Sequence, residues 1–224
     1  MNRMLSTAGV KLAYSYLDSN PEKNIPKLMN WVDRLDKKDN LKGQRDAFRK
    51  VIADKDNNWY RLILSVWTDI DPEVRKTFFT NFILNANLVG GPVQIASKEK
   101  YGCNIPWAIL MDPTSACNLK CAGCWAAEYG NKMSMSYETL DSVIEQGKKL
   151  GVYFYIYSGG EPLVRKKDII RLCEKHSDCE FLAFTNGTLV DEEFADEMLR
   201  VKNFVPAISI EGFEEATDSR RGKG

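Results

Sequence analysis

From about residue 105 onward, short apolar runs alternate with stretches of helical period, and this alternation restricts the fold more than any other feature of the chain. Trp107 to Met111 and Val152 to Tyr157 are strand-sized runs, and further strands are expected around Phe181 to Phe184 and Pro206 to Ile210. Between them, Ser136 to Leu150 carries Leu140, Val143, Ile144 and Gly147 on one side. A second helix is expected around Asp168 to Lys175, and a third turns Phe194, Ala195, Met198 and Leu199 inward. Strands alternating with helices of about 10–15 residues imply βα units and a parallel sheet. In such sheets ligands bind beyond the carboxyl ends of the strands.

The first hundred residues read as helices. Pro26 is expected to start one, with Leu28, Val32 and Leu35 on a single face. Trp59, Leu62, Ile63, Val66, Trp67 and Ile70 form a stripe at helical spacing, expected to be packing core. Asp71-Pro72 is an N-cap followed by proline at the first helical position. The helix it opens carries Val74, Phe78, Phe82 and Ile83, and Gly90-Gly91-Pro92 is expected to stop it. The division is therefore a helical region over 1–104 and an α/β region over 105–224.

Apolar residues make up 44% and charged residues 28%, which suits a globular chain and excludes wholesale disorder. Lys plus Arg and Asp plus Glu are both 31, so the net charge is zero and nucleic-acid binding lacks its electrostatic footprint. The longest apolar runs are strand-sized, well short of the roughly 18 residues of a membrane helix. Arg3, Ser6 and Lys11 interrupt the start, so no secretory segment is expected and the compartment expected is the cytoplasm.

His176 is the single histidine, which argues against a Ser–His–Asp hydrolase or a multi-histidine metal site. The six cysteines are Cys103, Cys117, Cys121, Cys124, Cys173 and Cys179, and in a reducing cytosol they read as metal binding or catalysis before disulfides. Cys117, Cys121 and Cys124 form a C-x3-C-x2-C cluster on the loop after the first strand. Three thiolates at this spacing can reach three corners of a cubane, and a four-iron cluster ordinarily has four cysteine ligands, so one iron would stay open. A zinc knuckle, buried structural cysteines and part of a disulfide set are the other readings. Zinc would call for a second C-x2-C or a His pair. Cys173, His176 and Cys179 are irregularly spaced and belong at the far end of a helix. Cys103, Cys173 and Cys179 are expected to be buried free thiols, and His176 a helix-end residue.

With Ser158-Gly159-Gly160-Glu161-Pro162 after the second strand, the C-x3-C-x2-C loop resembles the radical S-adenosylmethionine (SAM) superfamily. Thr185-Asn186-Gly187-Thr188 after the third strand and Ser209-Ile210-Glu211-Gly212 after the fourth fit the same pattern. They resemble the branch of molybdenum-cofactor and quinone-cofactor biosynthesis enzymes and peptide-modifying enzymes. The likeness covers about residues 105 to 224. One departure is Gly123, where the family often has an aromatic residue; here Trp125 follows instead.

The resemblance implies that Cys117, Cys121 and Cys124 hold a [4Fe–4S] cluster whose fourth iron is chelated by SAM. One electron passed to the sulfonium would release methionine and a 5′-deoxyadenosyl radical, which takes hydrogen from a substrate that the sequence does not identify. Flavodoxin or ferredoxin would supply the electron. Gly159 and Gly160 permit close backbone approach, Glu161 offers an acceptor for an ammonium group, and Pro162 stiffens the exit of the turn. Asn186 and Ser209 are hydrogen-bonding groups at strand ends, with turn formation or helix capping as their alternative roles. Glu211 could accept from a ribose hydroxyl, and Arg221 could meet the SAM carboxylate or belong to an exposed basic tail. A βα unit takes about 30 residues, so the region after Cys117 holds about three and a half units of the family's six-unit partial barrel. The expected fold is therefore the N-terminal portion of a partial (β/α) barrel, truncated after the fourth strand and preceded by helices. The rival is a non-catalytic zinc or iron–sulfur module on a helical interaction scaffold.

Overall fold

The computed structural model describes residues 3–35 and 42–223. They form two compact units, Met1–Phe79 and Thr80–Gly224.

The first unit is helical: α1 (Arg3–Ser19), α2 (Pro21–Leu35), α3 (Lys42–Ala53), α4 (Asn58–Thr68) and α5 (Pro72–Phe78). Helix α2 starts at Pro21, not at Pro26. Asn20 Oδ1 accepts from the Lys23 N–H at 3.1 Å, so Asn20-Pro21 is the start signal. Pro26 lies inside the helix. The side chains of Leu28, Val32 and Leu35 fall outside the described residues. Asp71 Oδ1 caps α5 through the Glu73 and Val74 N–H groups, as expected. The expected stripe is only partly core: Ile63, Val66 and Trp67 are half-buried, whereas Trp59, Leu62 and Ile70 are exposed, and the buried residue of α4 is Tyr60, outside the stripe. A stripe with adjacent apolar pairs is wider than the face one short helix can cover. Arg75 is buried and joins helices, donating to Val66, Trp67 and Ile70 carbonyls and pairing with Asp18 at 2.6 Å.

A π-helical stretch (Phe79–Val89) begins at the last residue of the first unit and runs into the second, where α6 (Gly90–Tyr101) follows. Gly90-Gly91-Pro92 begins α6 instead of ending a helix, because a proline in the first turn forfeits no intrahelical hydrogen bond. Then follow β1 (Ile109–Met111), a 3-10 turn (Trp125–Tyr129), α7 (Tyr137–Lys149), β2 (Phe154–Tyr157), a 3-10 turn (Pro162–Arg165), α8 (Lys166–Lys175), β3 (Glu180–Thr185), α9 (Glu192–Val201), β4 (Phe204–Ile208) and α10 (Glu214–Arg221). Ser136 caps α7 through the Thr139 N–H, and Asp191 caps α9 through the Phe194 N–H.

The sheet has the order β1-β2-β3-β4 and every pairing is parallel. Each strand is added beside its predecessor, so right-handed crossovers place α7, α8 and α9 on one face. Two register rows face these helices: Ile109, Tyr155, Phe181 and Phe204, then Met111, Tyr157, Ala183 and Pro206. Tyr155, Tyr157, Phe181 and Ala183 are fully buried there against Leu140, Ile144, Ile169 and Leu172. The intervening row, Leu110, Ile156, Leu182 and Val205, points to the opposite face. This is the α/β arrangement with a helical lead expected from the sequence. Leu199, expected inward on α9, is exposed, whereas Phe194 is buried and Met198 packs half-buried against the core, as expected.

Candidate functional site

The loops after the four strands converge at the carboxyl edge of the sheet. Residues 111–116 run from β1 to the first loop cysteine, and the turn after β2 is zipped against them. Ser158 N donates to Met111 O, Gly160 N to Thr114 O at 3.0 Å and Glu161 N to Ala116 O at 2.8 Å. This pairing presses Gly160 onto backbone: a Cβ there would stand 2.3 Å from Ala116 O and 2.5 Å from Ser115 O. Gly159 has φ +101°, a region that suits glycine. On the other flank, Ser115 N donates to Met133 O and Met135 N to Pro113 O. The segment leading to Cys117 is thus held on both sides.

Cys117, Cys121 and Cys124 are partly buried free thiols lining one cavity of about 360 Å³ together with Gly160. Burial pushes the Cys117 thiol up, opposed by the Leu119 N–H, which lies 3.4 Å from its Sγ. All three donors are thiols, which suits an iron–sulfur unit, and the single histidine, His176, stands apart at the end of α8.

Glu161 is buried, and its carboxylate is engaged within the protein. Oε1 accepts from Leu163 N at 2.9 Å and Thr185 Oγ1 at 2.7 Å, and Oε2 accepts from Asn186 N at 2.8 Å. It therefore fastens the turn after β2 to the end of β3, with Pro162 buried at the start of the 3-10 turn. The Asn186 side chain makes a local turn, accepting from Thr188 N and Oγ1, and donates from Nδ2 to Asn118 Oδ1 at 3.0 Å. Asn118 Nδ2 completes the triangle by donating to Thr188 Oγ1 at 2.7 Å. The cysteine loop is thereby tied to β3. Asn118 was legible only as a residue inside the C-x3-C spacing; no sequence signal named its partner.

Ser209 is exposed at the end of β4, its N–H donating to Thr185 O. Glu211 accepts from Arg221 Nη2 at 2.5 Å and Arg220 Nη1 at 3.0 Å, and the Arg221 bond lowers its pKa. Arg221 is not part of an exposed tail: it ends α10, is largely covered and keeps a buried Nε without a partner. The Arg220 carbonyl accepts from Ala122 N at 2.7 Å, so the end of α10 also grips the cysteine loop. The structure brings the three cysteines and Gly160 to one cavity, bonds Glu161 to Asn186 directly and Asn186 to the cysteine loop through Asn118, and reaches Glu211 and Arg221 through α10.

The remaining cysteines stand apart. Cys173 and Cys179 are buried, as expected, and burial raises both thiols strongly. Cys103 is exposed, contrary to expectation, because it follows the left-handed Gly102 that ends α6. His176 closes α8 and is buried, with Nε2 2.8 Å from Asp141 Oδ1.

A parallel α/β sheet with three loop thiols at its carboxyl edge is the architecture of a partial (β/α) barrel. The profile of the Radical SAM superfamily matches residues 111–224, and the chain belongs to that superfamily, whose members use a [4Fe–4S] cluster and SAM. It is 37% identical over 119 residues to an uncharacterised protein of Archaeoglobus fulgidus, covering 51% of this chain and 28% of that one. It is 32% identical over 120 residues to the Fe-coproporphyrin III synthase of Methanosarcina barkeri, covering 51% and 29%. The chain thus spans under a third of the length of these relatives. Among solved structures, Streptococcus suis SuiB bound to S-adenosylmethionine matches with a TM-score of 0.51 at 18% identity, covering 73% of this chain and 36% of that one; this likeness concerns the fold. Among the described residues no helix is long and apolar enough to cross a membrane.

Proposed function

We propose that Cys117, Cys121 and Cys124 hold a [4Fe–4S] cluster, and that SAM lies between it and the Gly159 to Pro162 turn. The observation that carries this reading is the single cavity lined by all three thiols and by Gly160. When bound, the pair supplies one-electron reductive chemistry that ends in hydrogen abstraction from a substrate. The chain's own residues bind and orient. The loop is fixed to β2 by main-chain bonds, to β3 by Asn118, and to α10 by the Arg220 carbonyl. Glu161 positions Asn186 and β3, while Ser209 and the Glu211–Arg221 pair offer polar groups to SAM on the β4 side. A small one-electron donor such as flavodoxin or ferredoxin completes the system, and the cytoplasm is its expected compartment.

The test is anaerobic reconstitution of the chain with iron and sulfide, followed by metal analysis. About four irons per chain are expected, with SAM altering the cluster spectrum. Each single Cys→Ala change in the triad should lose the brown chromophore, whereas Cys173→Ala and Cys103→Ala should keep it. A zinc-only product, or full iron content in any triad variant, overturns the assignment in favour of a simple metal module.

A further inference from the structure

Beside the thiol-lined cavity lies a second one, of about 330 Å³, and the two share Ser115, Ala126 and Gly160 as a common wall. Asp112, at the carboxyl end of β1, opens into it next to Gly159, and Trp125, Tyr129 and Met133 form its sides. The Trp125 and Tyr129 rings meet edge to face at 5.9 Å, and both side chains are more than half exposed. Asp112 is exposed and has no hydrogen-bond or ion-pair partner among the described residues. Nearby Arg165 is, by contrast, fully used in building the wall, donating to Pro113 O, Ser134 Oγ and Met135 O and pairing with Asp168. Among the described residues no cationic side chain lines the cavity.

The cavity lies on the β1 side of Gly159 and Gly160, whereas Asn186, Ser209 and Glu211 follow β3 and β4. A cofactor reaching from the thiols toward those residues leaves this cavity to a second molecule. An uncovered aromatic wall beside an unpaired carboxylate is a recognition surface for one kind of group. A flat apolar stem gains contact area on Trp125 and Met133, and a protonated amine gains a charge-assisted hydrogen bond from Asp112. A carboxylate in the same place would meet Asp112 with nothing to neutralise it.

We propose that this cavity receives the substrate, and that the substrate presents to it an amine on an aromatic or apolar stem. The identification of the occupant as substrate rests on the cluster-and-SAM reading; the amine selectivity rests on the cavity itself. The probes are tryptamine and its near-isosteric acid, indole-3-propionate, titrated into the full chain without metal and followed by ligand-observed saturation-transfer NMR. Tryptamine should bind at least about tenfold more tightly than the acid. Asp112→Asn should weaken tryptamine about tenfold and close the gap to the acid. Trp125→Ala should weaken both probes, with unchanged thermal unfolding showing that the chain stays folded. A variant lacking all three loop cysteines should keep the selectivity. Equal binding of the two probes, no binding of either at about 10 mM, or an Asp112→Asn chain that binds tryptamine as the wild type does would overturn the proposal. Selectivity without an iron cluster would count against the cluster reading alone, and a cluster without selectivity against the substrate cavity alone.

Discussion

Gly160→Ala adds a single methyl group, and the structure states where it must go. The new Cβ would lie 2.3 Å from Ala116 O, 2.5 Å from Ser115 O and 2.6 Å from Ala116 C, where real Cβ contacts are almost never under 3.0 Å. All three neighbours are main-chain atoms, so no side chain can rotate away. Relief requires residues 115–116 and the turn to part by about 1 Å, at the ordinary overpacking cost of about 1–3 kcal/mol. The same movement stretches the bonds from Glu161 N to Ala116 O and from Gly160 N to Thr114 O, each worth about 1 kcal/mol. The total is about 2–4 kcal/mol, and the displaced segment delivers Cys117. Urea unfolding followed by circular dichroism should show a midpoint lower by about 1 M or more, and iron uptake should fall. Gly91→Ala is the internal control: its Cβ meets nothing within 4 Å, and alanine in a helix is favourable by up to about 1 kcal/mol. A Gly160→Ala chain as stable as the Gly91→Ala chain and retaining its iron would refute the close-packing argument.

Glu180 begins β3 fully buried, and burial pushes its pKa from 4.5 up to about 8, opposed by the Asn81 side chain. The folded chain therefore holds the proton more tightly than the unfolded one, so stability should fall as pH rises between those values and level off above them. Glu180→Gln should flatten that fall and leave the variant more stable than the wild type at about pH 8.5, as read from denaturation midpoints; parallel pH curves would exclude a buried neutral acid. Asn118→Ala removes the bonds to Asn186 and Thr188 and should change global stability by less than about 1 kcal/mol, since the bonds are exposed. It should nevertheless speed amide hydrogen exchange across residues 117–124, and unchanged exchange would show that the loop is held by its main chain alone.

The four strands and α7, α8 and α9 were legible from β-rich runs and apolar helical faces; α10 was not, because Glu214–Arg221 buries no residue and so shows no apolar face. The start of α2 was misplaced because two prolines compete as first-turn signals, and only Asn20 before Pro21 decides between them. The width of the α4 stripe was overread because periodicity reports which residues share a face, not how much of that face a neighbour covers. In the site, cysteine spacing and the glycine pair were visible as chemistry. Glu161 was visible as a carboxylate, but its engagement by Thr185 and Asn186 joins residues about 25 positions apart, which no local pattern encodes.

By itself, then, the sequence determined the alternation that forces a parallel sheet, the position of the thiols after the first strand, and the family to which those motifs belong. These depend on residue type and spacing along the chain, and both are present in the linear text. The tertiary structure decided which polar groups remain free. It closed Glu211 onto Arg221, spent Arg165 on the 113–135 wall, turned Asn118 toward β3, and left Asp112 unpaired beside Trp125. Whether a charged side chain is a strut or a recognition group depends on what the rest of the chain brings to within about 3 Å of it, and only the folded arrangement fixes that distance.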